Sequence, residues 1–358
     1  MQRYGVIMAG GGGTRFWPLS RKRTPKQMLN LTGNDLLICE SVDRLAGVVE
    51  KENIFIVTGA CQREKMLQAT AGRVLPDRIL SEPEARNTTA CIGYAALKII
   101  QEYGDGVMII MPSDHYISNE DGLRDVLRIA VDEAERTDRL ITVGIRPDRP
   151  ATGFGYIRYD ENGEGCAKRV IEFREKPNVQ TAQRYVDSGK YLWNSGMFIW
   201  RAGAILEKIR EYVPDIHADL SEIAAAMGTE NENRVLQETY RRIRKISIDY
   251  AVMEPAAAQG DVRVIPGDFG WNDVGSWDMI PVLHQADANG NVLLGNVLAM
   301  DTTGSVCSSD GRLVAVLGLK DVVVVETPDA VLVCDKNRAQ DVKEIVALLE
   351  RQGQDEYL

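Results

Sequence analysis

Short apolar runs alternate with longer segments of helical period through the first 145 residues, and this alternation limits the fold more than any other feature. Residues 4–9, 53–58, 78–81, 107–111 and 140–145 read as buried strands. Between them, 36–49 sets Leu37, Ile38, Val42, Leu45 and Val49 on one helical stripe. Residues 88–103 and 121–136 read as helices too, the second with Leu123, Val126, Leu127, Ala130 and Val131 spaced for burial. Such alternation predicts an α/β fold with a Rossmann-like, doubly wound mixed sheet in which most pairs are parallel. Ligands in such sheets sit at the carboxyl ends of strands.

The texture then changes twice. Residues 153–200 are β-like and interrupted, as in a lid or sugar-binding insertion, and 203–245 read as helical. After 290 come short β-rich pieces ending in a helix near 338–351. The boundary falls near 285, giving a large domain, 1–285, and a small β-rich domain, 286–358.

Four glycines, Gly10 to Gly13, follow the first strand directly. Five cations follow within a dozen residues: Arg15, Arg21, Lys22, Arg23 and Lys26. Glycines let backbone N–H groups converge on an anion, and cations behind them neutralise it. The chain as a whole carries a net charge of −10, so this local basic cluster points to a small polyanion and the composition argues against nucleic acid. Neither the P-loop pattern nor G-x-G-x-x-G is satisfied, since no Lys-Ser or Lys-Thr follows and Arg15 stands where the third glycine should be. What remains is a polyphosphate cradle.

The stretch GGGGTRFWPLSRKRTPKQML resembles the signature of the sugar-phosphate nucleotidyltransferases, and among them the mannose-1-phosphate guanylyltransferases, with Phe16 and Met28 where Leu and Phe are more usual. The resemblance implies transfer of GMP from GTP to α-D-mannose 1-phosphate, with Gly10, Gly11, Gly12 and Thr14 on the nucleotide and Arg15 and Lys26 on its phosphates. It also implies a short left-handed β-helix in the C-terminal domain, where periodicity alone indicates only a small β domain. Asp114, just past a buried strand, can hold a divalent cation against a triphosphate or simply cap a turn. Asp273 in FGWNDVGSW can be an ordinary Asx turn. The resemblance pairs the two on Mg²⁺, although 159 positions separate them.

In SEPEARNTTACI, Arg86, Asn87 and Thr88 precede a helix and suit an N-cap. The resemblance makes them the part that reads guanine. EFREKP taken alone is a solvated turn; by resemblance its Glu175 takes sugar hydroxyls and its Lys176 the sugar phosphate. Asn194, Asp249 and Gly155 join them on the sugar side by the same reasoning. Rival readings are another hexose or heptose 1-phosphate as acceptor, or a non-catalytic sugar-nucleotide sensor. A bifunctional isomerase is not expected, because it would need a cupin-like domain beyond the roughly 70 residues after 285.

Six widely spaced cysteines and three histidines give no zinc pattern, and free, mostly buried thiols fit a cytoplasmic location. No signal peptide or membrane-length apolar run is visible. The segment 286–358 cannot bury both faces alone, so it is expected to dock on the catalytic domain or to support a homodimer, without touching GTP.

Overall fold

The computed structural model describes all residues, Met1–Leu358, and forms two compact units. The first comprises Met1–Gly10, Ser41–Ser113 and Ile117–Trp271; the second comprises Gly11–Glu40, Asp114–Tyr116 and Asn272–Leu358.

The predicted apolar runs become the strands Arg3–Ala9, Ile54–Gly59, Ile79–Glu82, Val107–Pro112 and Leu140–Ile145 of a nine-stranded sheet in the first unit. Arg3–Ala9 is an interior strand, parallel both to Ile54–Gly59, with Gly5 opposite Ile54, and to Val107–Pro112, with Arg3 opposite Val107. The sheet is mixed, as expected, with parallel pairs among its first strands and antiparallel pairs around its later ones. The long strand Tyr191–Arg201 enters between Val107–Pro112 and Leu140–Ile145 and runs antiparallel to both. Lys168–Arg174 and Tyr156–Tyr159, from the β-like insertion, complete one edge.

The helices cover the sheet because their apolar stripes match its faces. Thr88–Tyr103 buries Ala90, Ile92, Ala95, Ala96 and Ile99. Glu120–Arg136 buries Leu123, Leu127, Ala130, Val131 and Ala134, while Val126 is only half-buried. Each buried Leu or Val contributes about 1.5–3 kcal/mol, and the Asn119 cap, accepting from the Gly122 amide at 3.0 Å, adds about 1 kcal/mol.

Two expected helices are shorter than their stripes. The segment 36–49 is helical only over Leu37–Asp43, then tightens into turns ending at Gly47, whose φ is 73°. The segment 203–245 divides into Ala202–Tyr212, Pro214–Ala226 and Glu232–Arg242. Pro214 cannot continue the preceding helix, and Gly228, with φ 74°, ends the turn that separates the last two.

In the second unit, Val292–Leu294, Val306–Ser309 and Val322–Glu326 stack in parallel, and Val297–Met300 pairs in parallel with Val314–Leu317. This β-helix-like coil stacks Val292, Val306 and Val323 in its interior. Asn291 ties successive turns, donating to the Thr302 carbonyl at 2.8 Å and accepting from the Ser305 amide at 3.0 Å. Val331–Asp335 closes the stack antiparallel, followed by the helix Val342–Arg351.

The coil shares one core with the segment that carries the glycines and cations. Phe16, Trp17, Leu29, Leu31 and Leu37 cluster with Val292, Val306, Trp277, Val342 and Val346. Trp277 Nε1 donates to the Trp17 carbonyl at 3.1 Å, and Trp17 Nε1 to the Tyr357 carbonyl at 2.8 Å. No disulfide forms: Cys39, Cys91 and Cys307 are buried, Cys334 is half-buried, and Cys61 and Cys166 are exposed, so burial accounts for only some of the thiols.

Candidate active site

The chain leaves the strand Arg3–Ala9 through its four glycines, and the most constrained of them is Gly13. Its φ is 62°, and a Cβ there would lie 2.3 Å from Lys26 Cβ and 2.9 Å from the Lys26 amide nitrogen. Only glycine permits that approach. The Gly13 carbonyl accepts from Ser20 Oγ at 2.7 Å and from the Phe16 amide at 3.0 Å, which fixes the turn. Beside Gly11 and Gly12, space is open: no atom lies within 4 Å of a Cβ on Gly11, and only the Thr14 methyl lies at 4.0 Å from one on Gly12.

Lys26 is drawn inside and is only 4% exposed. Its ammonium donates to Asp114 Oδ2 at 2.9 Å and to the Asp273 carbonyl at 2.7 Å, partners 88 and 247 positions away. Burial pushes the Asp114 carboxyl up, but Lys26 and His115 outweigh it and hold the group below the usual carboxylate range. Asp114 is therefore ionised at neutral pH. A Cβ on Gly275 would lie 3.0 Å from Asp273 Oδ2 and 3.6 Å from Arg15 Nη1, so this glycine leaves both groups room.

Arg15, Lys26, Asp114, His115, Asp273 and Lys343 line a cavity of about 340 Å³. Gly13, Thr14 and Gly275 complete its wall. The four residues expected at the triphosphate and metal thus meet in one place. No group of three or more His, Cys, Asp or Glu side chains that could hold a metal ion occurs anywhere in the chain, this cavity included. Two carboxylates facing one cavity suit a hard cation that takes most of its oxygen ligands from phosphate.

The sugar-side residues also converge, within the first unit. Asn194 Nδ2 donates to Asp249 Oδ1 at 2.9 Å, Asn194 Oδ1 accepts from Thr142 Oγ1 at 3.0 Å, and the Asn194 amide donates to the Gly155 carbonyl at 2.8 Å. A Cβ on Gly155 would lie 2.5 Å from Glu175 Oε2. Glu175 Oε1 pairs with Lys176 Nζ at 2.8 Å, whereas the buried Oε2 has no hydrogen-bond partner. An unmet buried acceptor is costly, and a ligand hydroxyl would satisfy it.

Asp249 opens a π-helical turn, Asp249–Met253, a geometry that recurs at functional sites. Burial, and then the Glu175 charge, push its carboxyl up to about 7. Burial alone would lower the Lys176 ammonium, but Glu175, Asp249 and Tyr250 raise it, so it stays charged.

Arg86, Asn87 and Thr88 are engaged with the protein itself. Asn87, at φ 68°, caps the helix Thr88–Tyr103 by accepting from the Thr88 amide, and Thr88 Oγ1 accepts from the Ile248 amide at 2.8 Å. Arg86 pairs with Glu84 at 2.7 Å and donates to the Arg241 carbonyl.

Sequence reasoning passed over Glu82, Glu254 and Lys343. Glu82 ends the strand Ile79–Glu82, buried, and accepts from Tyr240 OH at 2.6 Å; its other oxygen lies 3.3 Å from where a Cβ on Gly10 would be. Burial raises its carboxyl more than Tyr240 lowers it. A carboxylate closing a strand immediately before PEARNT was the available signal. Glu254 accepts from the Glu175 amide at 2.9 Å. Nothing in the local sequence of Lys343 marks it.

A family model described as "Nucleotidyl transferase" matches residues 4–290, and one described as "MannoseP isomerase/GMP-like beta-helix domain" matches 295–349. The mannose-1-phosphate guanylyltransferase of Escherichia coli K12 is 41% identical over 365 residues, covering 99% of this chain and 75% of that protein. The alginate biosynthesis protein AlgA of Pseudomonas aeruginosa is 40% identical, covering 98% and 73%. The chain therefore spans about three quarters of the length of these relatives. A solved structure from Thermus thermophilus, described as mannose-1-phosphate geranyltransferase, matches with a TM-score of 0.88 at 35% identity, over 98% of this chain and 100% of that one.

Proposed function

Since the chain belongs to the nucleotidyl transferase family, we propose that it transfers GMP from GTP to α-D-mannose 1-phosphate, giving GDP-mannose and pyrophosphate. The observation that carries this reading is the cavity in which Arg15, Lys26 and two carboxylates, far apart in sequence, face one another beside an open glycine turn.

A phosphate oxygen of the sugar phosphate attacks the α-phosphorus of GTP in line. The P–O bond to the β-phosphate breaks, and pyrophosphate departs. The attacking phosphate is already a nucleophile, so no covalent enzyme intermediate is needed. The chain's task is positioning and charge neutralisation. Gly10, Gly11 and Gly12 admit the phosphates close to the backbone, Thr14 and Arg15 bind them, and Lys26 shares its charge between Asp114 and the triphosphate. Mg²⁺ held by Asp114 and Asp273 would supply electrophilic stabilisation of the α-phosphate.

On the sugar side, Glu175 Oε2 and Asn194 take hydroxyls, Asp249 orients Asn194, Gly155 admits the ring, and Lys176 neutralises the sugar phosphate. At the base, Asn87 and Thr88 order the backbone through the cap, Arg86 braces it, and the buried Glu82 carboxylate accepts from guanine N1–H and N2–H. The domain boundary lies at 285, and the residues named above for the transfer reaction all fall within 1–285. Exposed Leu298, Met300 and Leu317 on the C-terminal coil support a homodimer, and the free thiols support a cytoplasmic setting. No helix is long and apolar enough to cross a membrane.

The test is pyrophosphate release from GTP, ATP, UTP and dTTP, each crossed with mannose, glucose and heptose 1-phosphates. The highest kcat/KM should fall on GTP with mannose 1-phosphate. Equal rates with UTP would overturn the guanylyl assignment, and a higher rate with another sugar would overturn the acceptor.

A further inference from the structure

We propose that Lys343, on the C-terminal helix Val342–Arg351, binds the pyrophosphate portion of the nucleoside triphosphate and of the released pyrophosphate. This rests on the nucleotidyl-transfer reading and adds a residue that lies outside the region matching the transferase family model.

The C-terminal helix is anchored by Val342 and Val346, which are buried in the same core as Phe16 and Trp17. Lys343, next to the buried Val342, consequently projects beside the turn Thr14–Phe16 and lines the cavity with Arg15, Lys26, Asp114 and Asp273. Its side chain, unlike that of Lys26, is exposed, which puts it at the mouth of the cavity.

Charge pairing supports the assignment. Lys26 is already paired with Asp114, whereas neither Arg15 nor Lys343 makes an ion pair or side-chain hydrogen bond. Most other arginines of the chain do. Two unpaired cations held over one cavity by buried neighbours repel each other unless an anion lies between them. The α-phosphate must lie near the carboxylates for the reaction, so the outer phosphates extend towards the mouth, where Lys343 stands. The β-helix-like segment thus completes the polyphosphate site, contrary to the sequence expectation that 286–358 stays clear of GTP.

Lys343→Gln and Lys343→Arg would be compared with wild type, with Lys190→Gln, an exposed lysine that does not line the cavity, as a charge-matched control. Titration calorimetry with GTP, GMP and pyrophosphate, without sugar phosphate, reads binding directly. Steady-state kinetics with mannose 1-phosphate reads turnover. Lys343→Gln should weaken GTP and pyrophosphate about tenfold, as expected for loss of one charge-assisted phosphate contact. It should leave GMP affinity, the KM for mannose 1-phosphate and the melting temperature unchanged, and Lys343→Arg should restore binding to within about twofold.

Wild-type affinity of Lys343→Gln for both GTP and pyrophosphate would overturn the proposal. So would equal weakening of GMP, or an effect confined to mannose 1-phosphate. If wild type bound GTP and pyrophosphate but formed no GDP-mannose, the functional reading would fail while the Lys343 test remained decisive.

Discussion

Gly13→Ala separates the geometry of the glycine turn from its backbone strain. A methyl at Gly13 would sit 2.3 Å from Lys26 Cβ, where carbon–carbon contacts settle near 3.5–4.0 Å, so the two segments must part by more than ~1 Å. The second overlap, 2.9 Å to the Lys26 amide nitrogen, is with backbone and cannot be relieved by a rotamer change. Moving Lys26 shifts an ammonium that contacts Asp114 at 2.9 Å and the Asp273 carbonyl at 2.7 Å, so three expected site residues are disturbed together. Misplacement of about 1 Å costs roughly a hundredfold in rate. The φ of 62° adds roughly 1–2 kcal/mol for a non-glycine residue, lowering the melting temperature by several degrees.

Gly72→Ala is the control. Gly72 has φ 76° but no atom within 4 Å of a Cβ, so it incurs the conformational cost without the collision. Gly72→Ala should lose only the conformational part of the stability and Gly13→Ala more, and only Gly13→Ala should lose about a hundredfold in kcat/KM for GMP transfer, measured where both are fully folded. Matching activities in the two variants would refute the role given to the Gly13–Lys26 contact.

Asp114→Ala and Asp273→Ala should each lower kcat/KM about a hundredfold or more, as when an electrostatic stabiliser is removed, and raise the Mg²⁺ concentration needed for half activity; an unchanged metal requirement in Asp273→Ala would remove it from the site. Asp249, with its carboxyl near 7, binds its proton more tightly folded than unfolded, so its contribution to stability is full below about pH 4 and is lost as pH rises through 7. Urea midpoints of the ligand-free protein between pH 5 and 8 should therefore fall more steeply for wild type than for Asp249→Asn, which keeps the acceptor for Asn194; parallel profiles would contradict the assignment. Glu82→Gln should reduce the preference for GTP over ATP about tenfold or more by removing one carboxylate acceptor, with kcat/KM for each nucleotide as the readout. Truncation after Ala286 should expose Phe16, Trp17 and Leu29 and cause aggregation, whereas a soluble, fully active truncated protein would contradict the shared core.

The buried strands were legible because a strand inside a sheet must be apolar on both faces, and Val107–Pro112 and Leu140–Ile145 announce themselves by composition alone. Likewise, no residue but glycine tolerates the approach at Gly13, and a carboxylate just past a buried strand, such as Asp114, is conspicuous without any partner in view. Helix lengths were less legible, because a stripe such as 36–49 records which side chains are buried and not whether the backbone between them is helical.

Only the tertiary structure decided which distant residues meet. The antiparallel entry of Tyr191–Arg201, the unmet Glu175 oxygen beside Gly155 and the pairing of Lys26 with Asp114 all depend on contacts between segments far apart in the chain. The same holds for the core that joins Phe16 and Trp17 to Val342 and Val346 and so carries Lys343 to the cavity. Local sequence fixes periodicity and turn chemistry, which act over a few residues. The position of a charge at the end of a helix depends on what that helix packs against, and hydrophobic burial is non-directional, so it names no partner in advance.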